Sequence, residues 1–178
     1  HVTSPASAMK AGLGFVTEDR RKTGFVPRMG VRDNITLPSL NKLSAGGVFT
    51  RQGEENRLAE EYKDRFKIKT PHIFQAVMNL SGGNQQKVIL SKWMLEGAKI
   101  LILDEPTRGI DVNAKREIYN LIAELSEKGM SIIMVSSEIN EIMGCCHRTK
   151  VMCEGRITGE VTREYFDYER ILELAFER

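Results

Sequence analysis

Ile100-Leu101-Ile102-Leu103-Asp104-Glu105-Pro106-Thr107 is the stretch on which the fold of this chain turns. Its four leading residues are all apolar. That lack of alternation marks a strand covered on both faces, as strands of parallel sheets are. Two consecutive carboxylates follow, just past the strand's C-terminal end. In open α/β sheets that edge is where ligands gather. A carboxylate there can ligate Mg²⁺, a hard cation that takes oxygen donors, while its neighbour faces an attacking water. Many strands also end in Asp or Glu because the chain is leaving the core, so the pair alone does not decide a function.

The same rhythm recurs on either side. Ala11–Thr17 (AGLGFVT) predicts a short buried strand, followed by a charged loop at Glu18–Lys22 and an irregular stretch to Asn34. Ile132–Val135 predicts another unalternating strand. Lys150–Cys153 predicts a third, with Arg156–Val161 as its hairpin partner across Glu154-Gly155. Ala114–Glu127 repeats apolar residues at Ala114, Ile118, Leu121, Ile122 and Leu125, a helical face that Gly129 closes. Gly53–Phe66 is amphipathic, and a last helix is expected over Phe166–Phe176. Ser44–Gly47 reads as a turn. Strands alternating with helices over short connections predict α/β architecture with a mostly parallel sheet flanked by helices. The expected division is a core from residues 1–19 and 88–178, interrupted by a helical insertion at 20–87.

Composition narrows the function classes. The 26 basic and 24 acidic residues nearly cancel to a net charge of +2, and they are interleaved, so no nucleic-acid footprint is expected. No apolar run approaches the length that spans a bilayer. Three cysteines, Cys145, Cys146 and Cys153, cannot form a complete disulfide set. No second Cys or His pair stands at zinc-binding spacing beside His147, so reduced, partly buried thiols are the expectation.

The second feature is Leu80-Ser81-Gly82-Gly83-Asn84-Gln85-Gln86-Lys87. Paired glycines let backbone approach a ligand closely. Ser81 is placed to cap the helix that follows, to about Glu96, and a helix N-terminus favours an anion. Gln85, Gln86 and Lys87 add donors in the first turn. A capped helix after a tight turn would look the same, so this motif too is weak alone. The two motifs together, in this order, with a buried helix between them, are specific.

In combination they resemble the ATP-binding cassette (ABC) ATPases. LSGGNQQK resembles the family's signature motif, ILILDEPT its Walker B strand, and Arg108-Gly109-Ile110-Asp111 the loop that follows. Thr17-Glu18-Asp19-Arg20-Arg21-Lys22, the DEPTRGIDV string and Ser136-Ser137-Glu138 resemble, more narrowly, the second cassette of bacterial monosaccharide importers of the ribose, galactose, xylose or arabinose type.

The resemblance implies a P-loop NTPase-like cassette with the following roles. Asp104 would hold Mg²⁺, and Glu105 would polarise the water that attacks the γ-phosphate of ATP. Ser81, Gly82 and Gly83, with Gln85 beside them, would bind the nucleotide held by an opposing cassette. Asp111 would sit in the loop crossing that interface. Glu18 stands where a glutamine usually senses Mg²⁺, and so joins both the nucleotide and metal sets. Ser137 stands where a catalytic histidine usually contacts the γ-phosphate; a hydroxyl gives weaker transition-state stabilisation there. The implied partners are the opposing cassette, membrane permease subunits and, indirectly, a periplasmic or extracellular sugar-binding protein, with the chain soluble and peripheral at the cytoplasmic face of the inner membrane. Ile35, Leu37 and Leu40 are candidates for lining a permease groove, or for core packing.

No G-x-x-x-x-G-K-S/T pattern occurs in the chain. Because the family places that motif upstream of the segment resembling Ala11–Thr17, the expectation is a fragment truncated before Walker A, lacking its strand and loop. Such a fragment would neither bind nor hydrolyse ATP normally, and a gap in its sheet could recruit a second copy, giving a homo-oligomer. The alternative is a non-catalytic interaction or regulatory module that retains cassette motifs.

Overall fold

The computed structural model describes residues 1–45 and 49–176, so the turn expected at Ser44–Gly47 lies partly outside the described residues. The chain forms two compact units, His1–Ile133 and Met134–Arg178.

The first unit is built on a parallel sheet. Strand β1 (Leu13–Val16) pairs with a central strand (Ile100–Asp104), with Val16 opposite Leu103. Helix α1 (Pro5–Lys10), held by a Ser4–Ser7 capping box, precedes β1. After β1 the chain closes into a tight turn at Arg20–Gly24, where Thr23 donates to Thr17 Oγ1 at 2.7 Å. Helices α2 (Val31–Thr36) and α3 (Leu40–Leu43) follow, and then the short pair β2 (Ser44–Ala45) and β3 (Phe49–Thr50). Helix α4 (Gln52–Arg65) packs on α2, which also packs on helix α5 (Gly82–Glu96). Asn34, 1% exposed, holds the preceding loop by accepting from Val26 N at 2.7 Å and donating to Gly30 O at 3.0 Å. Ile35 is fully buried in this core, whereas Leu37 is 40% exposed.

The central strand is β4, and it leads through the loop at 105–111 into α6 (Val112–Glu127). Leu101 and Leu103 are completely buried, as are Val16, Leu90 and Ile118. Each such side chain contributes roughly 1.5–3 kcal/mol of burial. Gly14 lets β1 and α5 meet: an added Cβ would lie 2.8 Å from Leu101 Cδ2 and 3.0 Å from Trp93 Cγ. Strand β5 (Ser131–Val135) completes the order β1-β4-β5. It is less covered than its apolar sequence predicts, with Ile133 55% and Val135 52% exposed. It stands last in the strand order, with a strand neighbour on one side among the described residues.

The second unit contains α7 (Ile139–Cys145), the antiparallel hairpin β6 (Arg148–Cys153) and β7 (Arg156–Thr162), and α8 (Tyr168–Phe176). The hairpin turns where predicted, with Glu154 at φ +48° and Gly155 at φ +79°, left-handed values that suit a two-residue turn. Its strands form their own sheet, so the whole is α/β with parallel and antiparallel parts. Val151, Val161, Ile171 and Leu174 make its core.

One fold expectation is corrected. The strand and loop at the nucleotide-binding end were expected to be missing. Residues 13–24 instead form an intact strand and closed turn, fixed by the Thr23–Thr17 bond and by Arg20 donating to Gln85. With that gap withdrawn, the strand-exchanged homo-oligomer loses its premise.

Candidate functional site

The two motifs meet through one turn and one loop. Parallel pairing ends with Val16 opposite Leu103, so the Thr17–Arg20 segment leaves the sheet beside Asp104 and the loop after it. Glu18 forms an ion pair with Arg108. Arg20 Nη1 donates to Arg108 O at 2.5 Å and Nη2 to Gly109 O at 3.1 Å. Its Nε reaches Gln85 Oε1, on α5, at 3.3 Å. Burial, then the neighbouring Arg21, holds the Arg20 guanidinium below its ordinary pKa.

Asp104 ends β4, and Glu105 follows it with φ +45°, a left-handed backbone that non-glycine residues adopt at a cost and that gathers at functional sites. The loop is stapled: Arg108 N donates to Glu105 O at 3.1 Å and Ile110 N to Thr107 O at 3.2 Å. Asp111 closes it as the N-cap of α6, accepting from Ala114 N at 3.0 Å. A carboxylate at that position also complements the helix dipole.

On the signature side, Ser81 is exposed at the N-cap position of α5 but makes no side-chain cap bond. Its hydroxyl instead accepts from Asn84 Nδ2 at 2.9 Å, while Asn84 Oδ1 accepts from Lys69 N at 2.8 Å. Gly82 and Gly83 sit where side chains have no room. An added Cβ would lie 2.7 Å from Arg20 Nη2 at Gly82, and 2.6 Å from Ala114 Cβ at Gly83. Gln85, 2% exposed, donates to Leu80 O at 3.0 Å and Val77 O at 3.3 Å. Lys87 points to α6, pairing with Glu117 Oε2 at 2.6 Å. Glu18, Gly82, Gln85, Asp104 at the end of β4 and the loop carrying Glu105 and Asp111 are thus brought to one region. Ser137 lies in the second unit, in the segment where Glu138 N donates to Ser136 Oγ at 3.0 Å.

Sequence reasoning assigned Glu18 from its segment and passed over Arg20, two residues on, which makes the connections. Arg108 was likewise read only as part of a motif. The TEDRR string was the available signal.

For Mg²⁺, no group of three or more His, Cys, Asp or Glu among the described residues forms a ready metal cage. Mg²⁺ is usually held by one or two carboxylates with water and substrate phosphates. Asp104 fits that donor chemistry, while Glu18 would have to leave Arg108 to join it.

The model of the ABC transporter family matches residues 2–108, more than half of the chain. This chain belongs to the ABC transporter family.

The match begins at residue 2. That start and the ordered segment 13–24 overturn the expectation of a cassette truncated before Walker A. The expectation that the chain is inactive, unable to bind or hydrolyse ATP, falls with it.

The cassette is similar to sugar-import subunits over nearly all its length. It is 51% identical to the L-arabinose transport ATP-binding protein AraG of Geobacillus stearothermophilus over 173 residues, which is 97% of the chain and 34% of that relative. It is 47% identical to the xylose import ATP-binding protein XylG of Thermoanaerobacter pseudethanolicus, over 96% of the chain and 34% of the relative. The chain therefore spans about a third of the length of the curated relatives it matches. A dimeric ATP-binding cassette in a post-hydrolysis state with ADP and phosphate shares the fold, with a TM-score of 0.73 over 93% of this chain and 69% of that one at 19% identity. Among the described residues no helix is long and apolar enough to cross a membrane.

Proposed function

We propose that this cassette is part of the ATP-binding, ATP-hydrolysing subunit that powers monosaccharide import. The observation that carries the reading is the meeting of the signature helix with the loop after β4, bridged by Arg20. Around it stand two of the parts that phosphoryl transfer uses, a helix N-terminus for phosphate and carboxylates for metal and water. Asp104 holds Mg²⁺ through oxygen, with Glu18 available once released from Arg108. The metal supplies charge neutralisation at the phosphates. Glu105 orients the attacking water and accepts its proton. Ser81, Gly82 and Gly83 meet the γ-phosphate of ATP on an opposing cassette, supported by Gln85, and Asp111 lies at that interface. Ser137, in the second unit, offers a hydroxyl. Residues 20–87 act as a helical subdomain, and residues 1–19 and 88–178 as the core.

The partners in this reading are a second cassette and membrane permease subunits, served by a sugar-binding protein outside, with the cassette at the cytoplasmic face. Val26, Met29, Phe74 and Met78 are exposed where Pro27–Met29 runs beside Ala76–Met78. That apolar strip suits docking to membrane subunits better than buried Ile35 does.

The test is Glu105→Gln in the full-length protein with its membrane partners, read by single-turnover ATP hydrolysis. The variant is expected to bind ATP as the parent does and to hydrolyse it at least about a hundredfold slower. An unchanged rate removes Glu105 as the base, and a parent without sugar-dependent hydrolysis removes the transport reading.

A further inference from the structure

We propose that Arg20 is a positioning residue that locks the signature helix and the carboxylate loop into one register. The inference rests on the function proposed above and adds the element that makes its two half-sites move together.

One planar guanidinium satisfies acceptors on two segments far apart in sequence. Nε serves Gln85 on α5, at 3.3 Å, and the two terminal nitrogens serve Arg108 O and Gly109 O, at 2.5 and 3.1 Å. The geometry belongs to a rigid fork and not to a point charge. The base of the side chain is equally fixed. Arg20 opens the closed turn, whose Thr23 hydroxyl also lies 2.9 Å from Asp19 O. Gly24 in that turn leaves no room for a Cβ, which would lie 2.7 Å from Ile89 Cδ1 on α5, and Lys92 of α5 donates to Gly24 O. Arg20 therefore crosses from one attachment on α5 to the loop, touching the helix's first turn on the way. Gly82 is glycine where a methyl group would strike Arg20 Nη2 at 2.7 Å.

A displaced Arg20 frees both Gly109, within the loop that carries Glu105, and Gln85, whose amide holds the Val77–Leu80 approach to the signature. Misplacing reacting groups by about 1 Å can cost about a hundredfold in rate. Arg20→Lys is the informative variant, because it keeps the charge but cannot present a planar fork.

Arg20→Lys and Arg20→Ala in the full-length protein test the proposal by amide exchange and by steady-state hydrolysis. The expected result is exchange at least about tenfold faster at residues 82–85 and 108–111, with β4 and the middle of α6 unchanged. The kcat should fall roughly tenfold to a hundredfold while KM for ATP stays within about twofold. Parent-like exchange at either segment overturns the proposal whatever the hydrolysis does. Faster exchange throughout β4 and α6 also overturns it, by reducing Arg20 to a stabilising residue. Altered exchange at both segments with parent-like kcat overturns its positioning role. If the parent itself hydrolyses no ATP, the transport reading fails, and the exchange pattern alone decides whether Arg20 couples the segments.

Discussion

Helices α5 and α6 have 15 and 16 residues and flank the same strand in sequence, yet they are held in opposite ways. In α6 three apolar residues, Ile118, Ile122 and Leu125, are buried, and the rest of the helix is largely open to solvent. In α5 a continuous run from Gln85 to Ser91 is buried, including Gln85, Gln86, Lys87 and Ser91. Gln85 and Lys87 bond to neighbouring segments, and Ser91 Oγ donates to Lys87 O at 2.7 Å. A helix that only covers a sheet needs one greasy face. A helix that must present its N-terminus at a fixed place is gripped from several sides, since buried polar groups without partners would be costly.

That contrast can be broken most visibly at the two N-termini. Ser81→Arg on α5 changes an exposed residue with no cap bond, so stability should stay within about 0.5 kcal/mol. ATP hydrolysis in the assembled transporter should nevertheless fall roughly a hundredfold, as when a preorganised anion-binding group is lost, and ATP-dependent crosslinking of the two cassettes should vanish. Normal closure would free Ser81 of its role. Gly83→Ala tests the crossing of the helices, where the new methyl would meet Ala114 Cβ at 2.6 Å. Overpacking there should cost about 1–3 kcal/mol in chemical denaturation. Adding Ala114→Gly should recover part of that loss.

Asp111→Ala comes next, because its carboxylate caps α6 at 3.0 Å. Loss of the cap should cost about 1 kcal/mol, so here stability and activity move together, unlike at Ser81. The smallest effect is a pH dependence. The hydrogen bond from Lys87, and then its charge, holds the Glu117 carboxyl below its ordinary value of 4.5. A depressed carboxylate stabilises the fold above its unfolded pKa and loses that contribution as pH falls through the folded one. Thermal melts of the parent should therefore decline more steeply below pH 4.5 than those of Glu117→Gln.

Much of α6 was legible because its signals are local, a 3.6-residue period and a closing glycine, Gly129, which stands at φ +88°; that Asp111 caps it was not. The hairpin at Glu154-Gly155 was legible for the same reason. Strand β4 was recognisable from its apolar run, and the motifs around it from their residue types. The grip on α5 was not legible, because Lys87 finds Glu117 30 residues away and Arg20 finds Gln85 65 residues away. Ser81 was read as a side-chain cap from its type, but its hydroxyl is engaged by Asn84 instead. The lack of a familiar phosphate-loop pattern hides the ordered segment 13–24, whose turn is set by the local Thr23–Thr17 bond and by Arg20 reaching Gln85 far along the chain, which no motif encodes.

The sole tryptophan of the chain, Trp93, lies on α5 against Gly14 of β1, and its buried indole N–H finds no acceptor among the described residues. Lys92 Nζ stands 5.1 Å from the ring centre, and burial pulls that amine down to a pKa of about 8. The cassette therefore carries its own optical gauge. One fluorophore, on the helix that begins with the signature, senses both a sliding of α5 over β1 and the charge of one amine. Its emission can be followed at a pH well below 8, where that amine stays protonated, so that any change in brightness or wavelength reports the motion of the helix without an attached dye.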